Sequence, residues 1–253
     1  MKNIVDFDGK HMLVIGASSG IGLTTALTLN RLGANVDIMS RNEEALNRVI
    51  QLLESGNNAC YKLDVTDYDS IGKVISNAVE LKGPYDGFVY AAGVALNCPI
   101  LQLTKEKMQW VFNTNFFGFI ESVRQISRKN RFNPGMRIVG VSSISSIKGG
   151  FSQTAYSGSK AAMDGAVRSL AVELAKKDIC INTVAPSMIN TRMYQDYLKD
   201  YGTDGIQFKI LQKRQIRGIG EPQDVANLIA FLLSPAARML TGISMPVDGG
   251  YRT

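Results

Sequence analysis

The sequence is poor in the residues from which metal centres and disulfide frameworks are made. One histidine, His11, and three cysteines, Cys60, Cys98 and Cys180, are scattered through 253 residues without ligand spacing. That excludes a structural zinc site. An odd cysteine count also argues against a disulfide-stapled secreted fold and for a reducing compartment. No apolar run reaches the roughly 18 residues that a membrane span needs. Met1-Lys2-Asn3-Ile4-Val5-Asp6 lacks the apolar stretch of a secretory signal. The expectation is a cytoplasmic protein with no membrane partner. Linkers, low-complexity tracts and solenoid-period repeats are missing too, which favours one domain over residues 1–253. The net charge of +6, from 28 basic and 22 acidic residues, fits an anionic ligand. The basic residues are dispersed and no aromatic-interleaved motif accompanies them, so no nucleic-acid partner is expected.

What is present is a regular alternation. Strand-like apolar runs at His11–Ile15, Asn35–Met39, Ala59–Leu63, Gly87–Ala91, Arg137–Val141, Ile179–Ala185 and Ile243–Val247 are separated by helix-like segments. The helices are expected over Ile21–Leu32, Glu43–Glu54, Tyr68–Leu81, Lys105–Arg128, Thr154–Ala175 and Gln223–Leu233. Strands alternating with helices imply right-handed crossovers and a parallel sheet covered on both faces. Continuous apolar strands fit that burial. The segment Ser187–Gly220 breaks the rhythm. It is polar, tyrosine-rich and irregular, as a substrate-binding loop or lid would be, or a plain surface excursion.

Gly16-Ala17-Ser18-Ser19-Gly20-Ile21-Gly22 lies between the first strand and the first helix. Glycines there let the backbone turn tightly and approach a pyrophosphate. The helix start adds free N–H groups and a positive dipole end. About 20 residues after such glycines, a site for NAD presents an acidic residue to the ribose. Ser40-Arg41 occupies that point here. Without a carboxylate, and with a guanidinium able to pair with a 2′-phosphate, NADP(H) is favoured over NAD(H). The plainer alternative makes Ser40 a helix cap. Asp64-Val65, after the third strand, is placed to approach the adenine, or Asp64 to cap the next helix.

The segment Ala155-Tyr156-Ser157-Gly158-Ser159-Lys160 sets a tyrosine four residues before a lysine, on one helix face. A fixed ammonium nearby would lower a phenol pKa of about 10 and let it exchange protons near neutrality. Alone, such a pair also fits a solvated helix face.

The ordered set Gly16 to Gly22, Asp64-Val65, Ala91-Ala92-Gly93, Asn115, Ser142-Ser143, Tyr156 and Lys160, Asn182 with Pro186, and Val247-Asp248-Gly249-Gly250 resembles the classical short-chain dehydrogenase/reductase family over nearly the whole chain. The resemblance implies a single-domain, doubly wound Rossmann fold with a mostly parallel, seven-stranded sheet. It implies NADP(H) chemistry on a small carbonyl or alcohol substrate. Ser143, 13 residues before Tyr156, would be the serine that orients the substrate oxygen, with Ser142 as runner-up. Tyr156 would be general acid in reduction. Lys160 would lower its pKa and hold the nicotinamide ribose, and Asn115 would hold a water linking the lysine to solvent. A plain reading of Asn115 is a helix-interior amide satisfying a neighbouring backbone group. Ala92 and Gly93 would line the cofactor, and Pro186, Ile189 and Thr191 would meet its nicotinamide end.

The family pattern is departed from at three points: Ile15 for threonine, the pair Tyr90 and Ala91 for asparagines, and Ser187 for the glycine after Pro186. The overall likeness is to 3-oxoacyl-thioester reductases, which implies a substrate that can be bound to a carrier protein. Arg128-Lys129-Asn130-Arg131 and Lys176-Lys177 could face such an acidic carrier, or serve as solvated helix ends. A sugar or other small ketone is the alternative. Met188, Met193, Tyr194, Tyr197, Tyr201, Leu96 and Phe151 are expected to shape the pocket. From another class, an NADPH-binding sensor or scaffold without turnover is the competing reading. The family also implies a homotetramer formed through the two long helices, Lys105–Arg128 and Thr154–Ala175, and the C-terminal segment.

Overall fold

The computed structural model describes residues 5–54, 56–201 and 213–252. Strands β1 (His11–Ile15), β2 (Asn35–Ser40), β3 (Ala59–Lys62), β4 (Tyr85–Tyr90), β5 (Phe132–Val141), β6 (Cys180–Pro186) and β7 (Ser244–Val247) form one sheet, ordered β3-β2-β1-β4-β5-β6-β7. Every pairing is parallel. The helices are α1 (Gly20–Arg31), α2 (Glu43–Ile50), α3 (Tyr68–Lys82), α4 (Lys105–Phe112), α5 (Gly118–Ile126), α6 (Thr154–Leu174), α7 (Arg192–Tyr201) and α8 (Pro222–Leu233).

The period of two in the strands divides the core. Val14, Val36, Ile38 and Val184 meet α1, α2 and α8 through Leu29, Leu46 and Ile229 on one face. Leu13, Ile15, Met39, Phe88 and Ile138 meet α3, α5 and α6 through Ile75, Phe119 and Val167 on the other. Both strand neighbours in β1 are buried because both faces are covered, which is why the run HMLVI is apolar throughout.

Four boundaries differ from the sequence expectation. The long helix expected over Lys105–Arg128 is α4 and α5 joined by a π-turn at Asn113–Phe117. Strand β5 begins at Phe132, opposite Tyr85, and resumes at Arg137 after a register shift that absorbs Pro134 and Gly135. Helix α2 stops at Ile50, and the Glu54 N–H instead donates to Asn30 Oδ1 at 2.9 Å. The irregular segment after Ser187 contains α7, with Arg192 and Asp196 3.8 Å apart on one face. The ends of that segment are tied together: Asn190 N–H donates to Gly220 O at 2.8 Å, and Gly220 N–H to Met188 O at 3.0 Å. The rest of the expected lid, 202–212, lies outside the described residues.

At the amino ends of the strands, fully buried Asp37 accepts the Tyr85 hydroxyl at 2.8 Å and lies 3.1 Å from His11 Nε2. Lys82 Nζ is 3.7 Å from its other oxygen. A buried carboxylate is tolerated only when paired and hydrogen-bonded. Burial and the neighbouring Asp37 drive the Tyr85 phenol pKa far above its ordinary value, so it stays a donor. Tyr85→Phe removes that donor at the opposite strand ends from Gly16 and Pro186. It is expected to lower stability by about 1–3 kcal/mol, read as a lower melting temperature, with nucleotide affinity unchanged.

Candidate active site

Where β1 and β4 separate towards their outer neighbours, the sheet has a topological switch point, and a cleft of about 950 Å³ opens at the strands' carboxyl ends. Gly16 lies on its floor with φ of +88°. A Cβ there would strike the Ala92 nitrogen and approach the Ala91 carbonyl carbon at 2.6 Å. At Gly22 a Cβ would strike the Gly16 carbonyl oxygen. Glycine at these two points lets α1 start against the floor with its free N–H groups facing the cleft. Ser18, Ser19, Gly20, Ile21, Val65, Ala92, Gly93, Pro186, Ile189 and Thr191 also line it.

At the end of β2, Ser40 and Arg41 line the same cleft. The cap of α2 is Asn42, whose Oδ1 accepts the Ala45 N–H at 2.9 Å, so Ser40 is not the cap. Arg41 is exposed and has no ion pair or side-chain hydrogen bond among the described residues. A cradle with no room for a Cβ and an unpaired guanidinium suit a dinucleotide carrying an extra phosphate. Asp64 does not line the cleft: its Oδ1 accepts the Thr66 N–H at 2.9 Å and the Thr66 hydroxyl at 2.8 Å. Neither is it a cap, because Asp67 caps α3.

Ser143, Tyr156 and Lys160 meet in the cleft. Ser143 Oγ accepts the Ser145 N–H at 3.1 Å and is the neighbour that draws the Tyr156 phenol pKa down, whereas Ser142 Oγ is turned to the Lys160 carbonyl at 3.4 Å. Geometry thus separates two adjacent serines that sequence left open. Lys160 Nζ donates to the Val141 carbonyl at 2.8 Å and lies 5.9 Å from the centre of the Tyr156 ring.

Burial pushes the Tyr156 phenol above its ordinary pKa, and Ser143, not Lys160, supplies the opposing pull. Lys160 pays for its own burial, which lowers it to about 8 against a smaller upward pull from Asp164. The Lys160 ammonium is bonded to a backbone carbonyl at 2.8 Å.

Asn115 sits in the π-turn, fully buried behind the cleft. Its Oδ1 accepts the Val94 N–H at 2.8 Å, while its Nδ2 donates to the Val94 carbonyl at 2.9 Å and to Ser159 Oγ at 3.0 Å. The side chain is therefore a clamp between the β4 loop, the π-turn and α6, the backbone-satisfying role of the plainer reading. Tyr90, one of the departures from the family pattern, donates its hydroxyl to the Thr114 carbonyl at 2.6 Å inside the same turn. A widened turn spaces its ladder donors unevenly, and this carbonyl takes its donor from the sheet. Gly118 is required there, since its Cβ would come 2.6 Å from the Tyr90 oxygen.

Of the expected pocket-shaping residues, Met188, Met193, Tyr194, Tyr197 and Phe151 line the cleft and Leu96 does not. The side chain of Tyr201 is outside the described residues. Trp110, Lys148, Arg214 and Tyr251 also line it and were not foreseen. They come from four distant segments, and no motif spacing in the sequence joins them.

The family model described as enoyl-(acyl carrier protein) reductase matches residues 16–252. L-xylulose reductase of Caenorhabditis elegans is 34% identical over 250 residues, covering 97% of each chain. The 3-oxoacyl-[acyl-carrier-protein] reductase MabA of Mycobacterium bovis is 31% identical over 244 residues, covering 96% of this chain and 93% of its own. A solved variant of the actinorhodin polyketide ketoreductase with NADPH superposes with a TM-score of 0.87 at 27% identity, covering 98% of both chains.

Two measurements probe the site's construction. Tyr90→Phe leaves a buried carbonyl without its donor and is expected to cost about 1–3 kcal/mol in thermal unfolding. In the nucleotide-free protein, Lys160 loses its proton near pH 8 when folded and near pH 10.4 when unfolded. Between those values the unfolded chain binds more protons, so this group's contribution to stability rises with pH. Relative to Lys160→Met, the wild-type melting temperature should climb by on the order of 5 °C between pH 7 and pH 10. Parallel curves would show that the ammonium is not penalised by burial.

Proposed function

Since the chain belongs to the classical short-chain dehydrogenase/reductase family, oxidoreductases of carbonyl and hydroxyl groups, we propose that it is an NADP(H)-dependent reductase forming a secondary alcohol. The observation that carries this reading is one cleft holding unpaired Arg41 at its nucleotide end and Ser143, Tyr156 and Lys160 together at the other. That a ketoreductase of the same fold carries NADPH supports the choice of cofactor.

The cofactor supplies the hydride. The glycine cradle and the first turn of α1 bind its pyrophosphate, and Arg41 binds the 2′-phosphate as a planar fork. Ser143 donates to the substrate oxygen, and Tyr156 delivers its proton there as negative charge develops. A phenol held up by burial stays protonated at neutral pH, as an acid must. Lys160 holds the nicotinamide ribose and keeps a cation near the phenol ring. Asn115 fixes the β4 loop and α6 in one register, so that Gly93 and Lys160 face the same space.

Relatives named for a sugar and for a 3-oxoacyl carrier substrate are alike in identity. The reading accordingly takes a small or carrier-borne ketone, with the 3-oxoacyl thioester as the first choice. A homotetramer fits exposed apolar residues on the long helices, Phe117 at 47% and Val172 at 75%.

Tyr156→Phe should lower kcat by about 10²-fold or more while NADPH affinity, read by fluorescence titration, is unchanged. Retention of most of the activity would remove Tyr156 as proton donor. Arg41→Ser should raise the Kd for NADPH roughly tenfold or more with little effect on NADH. NADPH binding without reduction of any 3-oxoacyl thioester, sugar or diketone would instead make the protein a nucleotide sensor.

A further inference from the structure

Among the described residues, six charged side chains line the cleft: Arg41, Lys148, Lys160, Arg192, Asp196 and Arg214. The reading above assigns Arg41 to a phosphate and Lys160 to the ribose. Arg192 and Asp196 neutralise each other at 3.8 Å, and Lys199 adds a second cation 3.7 Å from the same carboxylate. Two cations are left over. Lys148 is half-buried, and its side chain has no hydrogen bond or carboxylate partner among the described residues. The Arg214 guanidinium rests over the Tyr251 ring, 5.9 Å from its centre, and its N–H donors have no acceptor among the described residues.

Both are carried on ordered backbone. Lys148 ends the short turn that follows Ser143, where its own N–H and that of Ile147 both donate to the Ile144 carbonyl, at 2.9 and 3.0 Å. Arg214 precedes buried Gln215, whose side chain accepts the Met188 N–H at 3.1 Å and donates to the Met188 and Gly218 carbonyls at 3.0 and 2.6 Å. One cation is therefore tied to the serine that orients the substrate oxygen, and the other to the loop after Pro186 at the nicotinamide end. Trp110, Phe151 and Met193, all partly open to solvent, add apolar and aromatic surface to the same cleft. A cleft with two uncompensated cations and no free carboxylate among the described residues favours an anion, and an arginine backed by an aromatic ring presents its fork to a carboxylate or phosphate.

We propose that the substrate is a ketone bearing an anionic group, a carboxylate or a phosphate, which Lys148 and Arg214 hold while its carbonyl lies at Ser143 and Tyr156. The proposal rests on the reductase reading and narrows it. A charge-assisted hydrogen bond is stronger than a neutral one, so each cation should be visible as charge selectivity.

The test compares laevulinate with its methyl ester, and dihydroxyacetone phosphate with dihydroxyacetone, on the full-length enzyme with NADPH. Turnover is followed as kcat/KM, and binding to the enzyme–NADPH complex by nicotinamide fluorescence. In at least one pair the charged member should be preferred about tenfold or more, both in turnover and in binding. The pair that shows it tells carboxylate from phosphate. Lys148→Gln and Arg214→Gln should each reduce that ratio towards one, and added salt should shrink it in the wild type. Equal binding of both members in both pairs, or a preference surviving both substitutions, overturns the proposal and leaves the reductase reading intact. Charge-selective binding without turnover in any pair supports the proposal and counts against the reductase reading.

Discussion

Two backbones touch where β1 ends, and no side chain fits between them. The missing Cβ of Gly16 lets residue 16 lie against Ala91 and Ala92. That contact sets the floor of the cleft, the angle at which α1 begins, and the path of the loop after β4. The loop then passes Gly93, where a Cβ would lie 3.4 Å from Asn115 Oδ1 and 3.5 Å from Lys160 Nζ. A chain of close approaches thus runs from the phosphate cradle to the buried lysine. Substituting any of its small members would disturb both ends of the cleft together.

Electrostatics in this site are governed by burial more than by pairing. The Tyr156 phenol and the Lys160 ammonium share a helix and a cleft, yet each is moved chiefly by the loss of water, the phenol upward and the ammonium downward. Both shifts favour the neutral form. The charged forms depend on Ser143 and Asp164 respectively. A bound nucleotide with phosphates would add negative charge to the same space and favour the lysine's charged form. The nucleotide-free protein is therefore not poised as the loaded one would be.

Much of this was legible from sequence because it depended on periodicity and order. Apolar runs such as HMLVI gave all seven strands to within a few residues, and the glycine cluster and the Tyr156/Lys160 pair gave the cleft's two ends. What escaped was decided by hydrogen bonds between distant segments. The acceptor at Thr114 for Tyr90, the clamp of Asn115 on Val94 and the turn that Asp64 makes with Thr66 have no signature in local composition. Helix periodicity likewise cannot register one surplus residue, so the π-turn was read as plain helix. Lys148 and Arg214 look like ordinary surface cations until the fold leaves them in a cleft without carboxylate partners among the described residues.

The π-turn between α4 and α5 has a consequence for length variation. A π-turn holds one residue more than an α ladder uses for the same advance along the axis. Deleting a single residue within 113–117 would let one regular helix run through, with its flanking halves still aligned on their old neighbours. Such a shortened chain would keep its scaffold and lose the Asn115 amide clamp. At this point a one-residue length change acts on the clamp that registers the β4 loop with α6 and leaves the flanking helices intact, the reverse of what a gap inside a helix ordinarily means.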